Sequence, residues 1–334
     1  MTLLNRERSQ LWRLQQIVAP ELKRFEAELA AVMAGGTPLV REICDHLQRG
    51  RSKRFRPTLL LLAAKHDGGI DDRAILAAAC VELVHTATLV HDDSIDEAAT
   101  RRGLPSVNRA WGDHAALIMG DYLYAKAIDA LCCSGLDEAV HRLVRTTLLM
   151  SQAEMMQLEL RRDLGTSEEQ YLQVIEYKTA SLIQTVCDIG ASFNPAVDGC
   201  RGCFGDFGRQ VGLVFQITDD VFDFLGDERH LGKPTGQDWE EGRITLPLIA
   251  ALQRAPAAAR AEFEAAIAER PDAPWRSHWP RVKSFVAAHG GVDCALRLAR
   301  RLGEEAKARL EPLPGDGQRR LLEIAVDYVI NRAH

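Results

Sequence analysis

Asp92, Asp93 and Asp96 form the pattern Asp-Asp-x-x-Asp, and Asp219, Asp220 and Asp223 form it again. On a helix, residues i and i+4 share a face and i+1 adjoins it, so each triad offers three carboxylates to one side. Both triads follow directly on apolar sequence: Leu83, Val84, Leu89 and Val90 before the first, and Val211, Leu213, Val214 and Phe215 before the second. A solvated acidic face would not be expected there. Six like charges in such a setting repel one another and are costly to desolvate unless cations neutralise them. Mg²⁺ suits this role, because it prefers oxygen ligands, keeps several waters, and binds through a few carboxylates plus substrate phosphates. The two triads are therefore expected to share one site for several divalent cations and a diphosphate.

Basic residues supply the complement. Arg51, Lys53, Arg54 and Arg56 immediately precede Pro57, a residue favoured at the first position of a helix. A helix N-terminus behind such a cluster is an anion site. Arg101-Arg102-Gly103 follows closely on Asp96 and places guanidinium forks within reach of whatever the first triad binds. Lys178, Lys233 and Arg243 add cations in loops or helix breaks. His85 precedes Asp92 and Asp96 by about two and three helical turns, so the three lie nearly on one line.

The elements that must position these groups are helical. Leu172, Ile175, Thr179, Leu182 and Val186 follow the helical repeat, and no segment alternates with period two. Breaks at 34–38, 67–69, 103–105, 134–135, 163–165, 194–195, 225–226, 270–274 and 312–315 leave about a dozen helices. The expected fold class is all-α, a helical bundle. At 334 residues, a prior of about 150 residues per domain suggests two domains. Both triads must meet in one site, however, so a single domain over 1–334 is expected, with the triads on facing helices of the two halves.

The chain is 46% apolar and 26% charged, with net charge -6, an ordinary globular composition. A mildly acidic chain is a poor nucleic-acid binder. No apolar run approaches the ~18 residues of a membrane span, and the start lacks the apolar core of a signal peptide, so a cytoplasmic protein is expected. The eight cysteines include a vicinal pair, Cys132 and Cys133, and a single Cys200-x-x-Cys203 with no second pair to complete a zinc site. Reduced, structural thiols suit that compartment.

Taken together, the segments Lys53-Arg-Phe-Arg-Pro57, His85-Thr-Ala-Thr-Leu-Val-His-Asp-Asp-Ser-Ile-Asp96, Arg101-Arg-Gly103, Met119-Gly-Asp-Tyr-Leu123, Lys178-Thr-Ala180, Gly212-Leu-Val-Phe-Gln-Ile-Thr-Asp-Asp-Val-Phe-Asp223 and Gly232-Lys-Pro-Thr-Gly236 resemble the trans-isoprenyl diphosphate synthases, the polyprenyl synthetase family. The resemblance runs from about Arg51 to Ile249, with a weaker helical C-terminal part. It implies the isoprenoid synthase fold, about a dozen helices around a central cavity. It also implies head-to-tail condensation of isopentenyl diphosphate with an allylic diphosphate in a homodimer, with any long product passed on to membrane enzymes. By the same resemblance, Asp92, Asp93, Asp96 and Asp219 look like ligands of three Mg²⁺ ions, with Asp220 and Asp223 beside them. Arg101, Lys178 and Lys233 resemble residues that hold the allylic diphosphate. Lys53, Arg56, His85 and Arg102 match the isopentenyl diphosphate pocket, and Thr179 and Gln216 match residues beside the reacting carbons.

Three departures from the family pattern stand out: Arg51-Ser52 where Gly-Gly is usual, Arg243 where a lysine is usual, and Trp239 where a smaller aliphatic residue is common. By the same resemblance, bulky aromatics four and five residues before the first Asp accompany short products; Ala87 and Thr88 stand there, which resembles the medium- and long-chain synthases and implies twenty carbons or more. Other readings are a short-chain farnesyl or geranylgeranyl diphosphate synthase and a non-catalytic subunit of a heteromeric synthase. A terpene cyclase fits less well, because its second motif is generally not all Asp. Glu82-x-x-His85 and Glu138-x-x-His141 match a di-iron bundle signature, a reading that leaves both aspartate triads unused.

Overall fold

Local signals set the helix boundaries. In the computed structural model, which describes residues 3–50, 52–225, 235–269 and 274–331, Asp71 accepts the Arg73 N–H at 2.8 Å and opens α5 (Asp72–Ile95). Ser167 and Gln170 exchange side-chain and backbone hydrogen bonds at 3.1 and 2.9 Å, a capping box that starts α9 (Glu168–Ile175). Between them run α6 (Val107–Trp111), α7 (Asp113–Cys133) and α8 (Asp137–Glu159); α1 (Leu3–Ile17), α2 (Ala19–Met33), α3 (Pro38–Arg49) and α4 (Phe55–Ala64) come earlier. Later come α10 (Ser181–Ser192), α11 (Arg201–Leu225), the single turn α12 (Gln237–Glu240), α13 (Leu246–Arg254), α14 (Ala257–Ala268), α15 (Trp279–Ala288), α16 (Gly291–Arg309) and α17 (Asp316–Asn331). Thirteen of these reach ten residues, so the expected all-α bundle is what the chain forms.

Several features differ from the sequence reading. Thr100–Arg101 (β1) and Leu104–Pro105 (β2) pair as a small antiparallel ribbon. Its turn places Arg102 at φ 53 and Gly103 at φ 83, the two positive values that a type I′ turn requires. Pro57 is the third residue of α4, not the first, because Arg54 at φ 50 precedes Phe55. Finally, α5 is long and apolar enough to cross a membrane, but 72% of its apolar window is buried. It is a core helix of the bundle.

The centre of the bundle is α10, whose Leu182, Ile183, Val186, Cys187 and Ile189 are all buried. It lies between α4 and α11 at distances that only glycine allows. A Cβ on Gly190 would stand 2.5 Å from the Leu60 carbonyl oxygen, and one on Gly212 of α11 would stand 2.4 Å from the Ala180 Cα. Ala180 ends a five-residue π-helical segment, Glu176–Ala180, that joins α9 to α10. The continuous helix read from Leu172 to Val186 is thus interrupted where Lys178 and Thr179 stand, as π-turns often are at functional sites. The cysteines are unpaired; Cys44, Cys80 and Cys187 are buried, whereas Cys132 and Cys133 are exposed at the end of α7.

Candidate active site

Both aspartate motifs sit at helix C-termini. Asp92 and Asp93 occupy the last turn of α5, and the Asp96 N–H closes it on the Asp92 carbonyl at 2.8 Å. Asp219, Asp220 and Asp223 occupy the end of α11. The C-terminal end of a helix carries partial negative charge, so carboxylates there are disfavoured. Bound cations would remove that cost. Burial pushes the Asp92 carboxyl up to about 6, with Lys178 and Arg101 opposing the shift and Glu154 and Asp96 adding to it. Asp93 is 2% exposed and accepts the Arg101 Nε–H at 2.7 Å, so the β-ribbon is tied to the first motif.

The second motif divides into three environments. Asp219 is exposed. Asp220 is buried, accepting the Tyr171 hydroxyl at 2.6 Å and the Gln216 Nε2–H at 2.7 Å; burial, then Asp238, raises its carboxyl well above the ordinary range. Gln216 in turn accepts the Thr179 hydroxyl at 2.8 Å. Asp223 accepts the N–H groups of Gly236, Gln237 and Asp238 at 2.9, 3.1 and 3.1 Å. It therefore caps α12, and burial and Asp238 lift its carboxyl to about 6.

Two cations stand between the first motif and α12, which Asp223 caps. Lys178 Nζ donates to Gln157 Oε1 at 2.8 Å and pairs with Glu154 at 2.6 Å, while acting electrostatically on both Asp92 and Asp238. Arg243 pairs with Asp238 at 2.9 Å, with Glu241, and with Asp96 at 3.9 Å. Burial alone would lower its pKa, but those three carboxylates hold the guanidinium charged. The fork at this position reaches partners in both halves of the site, which a lysine point charge would not do as well. Lys233 lies outside the described residues.

The Trp239 departure also has a structural account. Its indole is buried, donates to the Trp275 carbonyl at 2.7 Å and packs on the Trp275 ring at 4.2 Å. This seats α12, and with it Asp238, against the bundle.

Opposite the carboxylates, Arg56 donates to His85 Nε2 at 2.9 Å and lies 6.0 Å over the Phe215 ring. Burial and the charges of Arg56, Arg102 and Arg101 push the His85 pKa far down, so the imidazole is neutral and its proton belongs on Nδ1. Not all of the basic cluster faces this site. Arg54 turns inward and pairs with Glu26 at 2.7 Å and with buried Glu82 at 3.0 Å. Glu82 is thus the counter-ion of guanidinium groups, not half of a di-iron signature, and Glu138 and His141 are exposed. Ala87 is 2% exposed, and Thr88 folds its hydroxyl onto the His85 carbonyl at 2.9 Å.

Sequence reasoning missed Tyr171, Glu154, Gln157, Asp238 and Glu241. Asp238 and Glu241 closely precede the Arg243 that it singled out, which was the available signal; Tyr171 carries none, since a tyrosine on an apolar helix face reads as core. Among the described residues, no three carboxylate, imidazole or thiolate groups converge closely enough to enclose a bare ion. Mg²⁺ is commonly held by one or two carboxylates together with water and substrate phosphate. The donors are all hard oxygens at two helix C-termini, so the residues fit such an ion.

A sequence model of the family described as Polyprenyl synthetase matches residues 37–277. The chain is 33% identical over 294 residues to the short chain isoprenyl diphosphate synthase of Methanothermobacter thermautotrophicus, covering 87% of this chain and 89% of that one. It is 30% identical over 301 residues to the octaprenyl diphosphate synthase of Haemophilus influenzae, covering 90% and 91%. The solved structure of a polyprenyl synthase from Caulobacter crescentus, complexed with calcium and isoprenyl diphosphate, superposes with a TM-score of 0.88 at 31% identity, covering 97% of this chain and 98% of that one.

Proposed function

The chain belongs to the polyprenyl synthetase family and is a prenyltransferase, and from that premise we propose that it condenses isopentenyl diphosphate head to tail with an allylic diphosphate, giving a polyprenyl diphosphate of twenty carbons or more. The observation that carries this reading is the pair of aspartate-bearing helix ends linked through α12: Asp223 caps that turn, and Arg243 pairs with its Asp238 and with Asp96. Asp92, Asp93, Asp96 and Asp219 would hold Mg²⁺, which when bound would supply charge stabilisation for the departing diphosphate. A relative that binds calcium and isoprenyl diphosphate supports a divalent ion.

In this reading, Arg101, Lys178 and Lys233 hold the allylic diphosphate, and Lys53, Arg56, His85 and Arg102 hold isopentenyl diphosphate. Breaking the allylic C–O bond puts negative charge on the leaving diphosphate and positive charge on the carbon chain. Lys178 and the guanidinium groups stabilise the first. The Gln216 carbonyl, oriented by Thr179 and Asp220, stabilises the second, together with the Phe215 ring. The double bond of isopentenyl diphosphate attacks the cation, and the departed diphosphate accepts the proton lost from the adduct.

Neutral His85 donates a hydrogen bond without competing for that proton. Exposed Leu117 and Ile118 of α7 and Val144, Leu148, Met155 and Leu158 of α8 form the face on which a second copy would sit as a homodimer.

In this reading product length depends on the path past Ala87 and Thr88, whose small side chains favour a long tail. Relatives carry both short-chain and octaprenyl names. Incubating the protein with Mg²⁺, labelled isopentenyl diphosphate and a choice of allylic primers, with products read by mass spectrometry, tests the proposal. Products of twenty carbons or more are expected. Products of fifteen carbons or fewer would overturn the length, and no product would overturn the activity.

A further inference from the structure

Glu82 is 2% exposed, and it draws together three segments of the chain. Its Oε1 accepts from Ser52 Oγ at 3.3 Å and from Arg54 Nη1 at 3.0 Å, and Arg102 Nη2 lies 3.8 Å away. Arg54 is held further by Glu26 at 2.7 and 2.9 Å. It sits in the left-handed region at φ 50, a conformation that a non-glycine residue keeps only when its surroundings enforce it. The Ser52 hydroxyl also accepts the Arg54 N–H at 3.3 Å, and the Arg54 carbonyl accepts the Thr58 hydroxyl at 2.6 Å. The loop before α4 is thus wound around one buried carboxylate.

The consequence falls on the neighbouring cations. Lys53 lies between the two loop residues that Glu82 fixes, and Arg56, two residues further on, meets His85, which stands one helical turn beyond Glu82. Arg102 belongs to the ribbon turn, so Glu82 also sets the distance from that turn to the loop. Several like charges packed here would otherwise repel one another. Burial first, then the charges of Arg56, Arg102 and Arg101, push the His85 pKa down, and all three guanidinium groups act on that one side chain. A buried carboxylate that neutralises the inward cation lets the outward ones remain together as an anion pocket.

We propose that Glu82 is a positioning residue, the buried anchor that gathers Ser52, Arg54 and Arg102 and thereby sets the shape of the pocket that takes isopentenyl diphosphate. The inference rests on the substrate assignment made above. It differs from a packing role, because it places the effect on one of the two substrates only.

The test uses the full chain and the isosteric Glu82→Gln, with Glu82→Asp as the conservative rescue. Calorimetric titration with isopentenyl diphosphate, in the absence of any allylic primer, reads binding without turnover. Glu82→Gln is expected to weaken that binding, and to raise the KM for isopentenyl diphosphate, by about tenfold, the scale of one lost charge-assisted contact. The KM for the allylic diphosphate should move less than about twofold, and Glu82→Asp should recover most of the loss. Should Glu82→Gln fail to fold, Arg54→Gln, which removes the same ion pair from the other side, is expected to show the same selective rise. A fall in melting temperature with both KM values unchanged, or an equal rise in both, would overturn the proposal. A wild-type protein that does not turn over the two diphosphates would instead overturn the function on which it rests.

Discussion

The Tyr171 hydroxyl donates to Asp220 at 2.6 Å, and so holds the carboxyl group that in turn orients the Gln216 amide. Asp220 accepts from Gln216 Nε2 on its other oxygen, so the Gln216 carbonyl is left towards Thr179, the orientation on which the proposed stabilisation of the carbon cation depends. Tyr171→Phe removes a hydrogen bond to a carboxyl group. It should lower kcat about tenfold, from a loss of roughly 1.5 kcal/mol, with both KM values nearly unchanged. Steady-state kinetics on both substrates checks this; an unchanged kcat would show that the Gln216 orientation does not depend on Tyr171.

Removing a motif carboxylate should abolish turnover without unfolding the protein. Asp92→Ala and Asp219→Ala are each expected to reduce kcat by several orders of magnitude while helix content by circular dichroism stays nearly constant, because these groups answer to charge developing in the transition state. Near wild-type turnover in either variant would remove the metal assignment.

The two diphosphate sites should separate kinetically. Lys53→Ala, Arg56→Ala or His85→Ala should mainly raise the KM for isopentenyl diphosphate, and Lys178→Ala should mainly impair use of the allylic primer. One charge-assisted contact is worth about 1.5 to 3 kcal/mol, roughly tenfold to more than a hundredfold. Equal effects on both substrates in every variant would mean that the pockets are assigned wrongly.

Thr88 lies one turn before Asp92, at the start of the path the growing tail would take. Ala87→Phe or Thr88→Phe should put a ring into that path. Overfilling a packed channel costs about 1 to 3 kcal/mol. Both variants should stay active and release shorter products by mass spectrometry, and unchanged lengths in both would place the floor elsewhere.

Asp188 of α10 supplies a pH test away from the metal site. Its carboxyl accepts from Arg142 at 2.8 Å. Burial lifts its pKa to about 6, against Arg142 and with help from Glu138 and Asp206. A carboxyl whose folded pKa exceeds its unfolded value binds more protons when folded, so its contribution to stability is present near pH 4 and lost as pH rises through about 6. Asp188→Asn should therefore gain on the wild type between pH 5 and 7, by at most about 2 kcal/mol. Thermal melts of the two proteins across that range check the sign, and a gap that does not change with pH would show that the Asp188 shift is absent.

The helices, the two aspartate motifs and their shared apolar flanks were legible in the sequence because each rests on local spacing. A helical repeat, a capping residue and an i, i+4 carboxylate pair carry their geometry with them. Only the tertiary structure separated members of one motif from another. Asp219, Asp220 and Asp223 are alike in sequence, yet one is exposed, one is buried against Tyr171 and Gln216, and one caps α12. The same holds for the basic cluster, where Arg56 turns to His85 and Arg54 turns to Glu82. Partners distant in sequence, such as Glu82 with Ser52 or Arg243 with Asp96, leave no periodic signal. Their meeting depends on how close the helices pack, which Gly190 and Gly212 permit and no local pattern announces. The chain's local chemistry decided that there would be carboxylates at helix ends; packing decided which of them face the site and which hold it together.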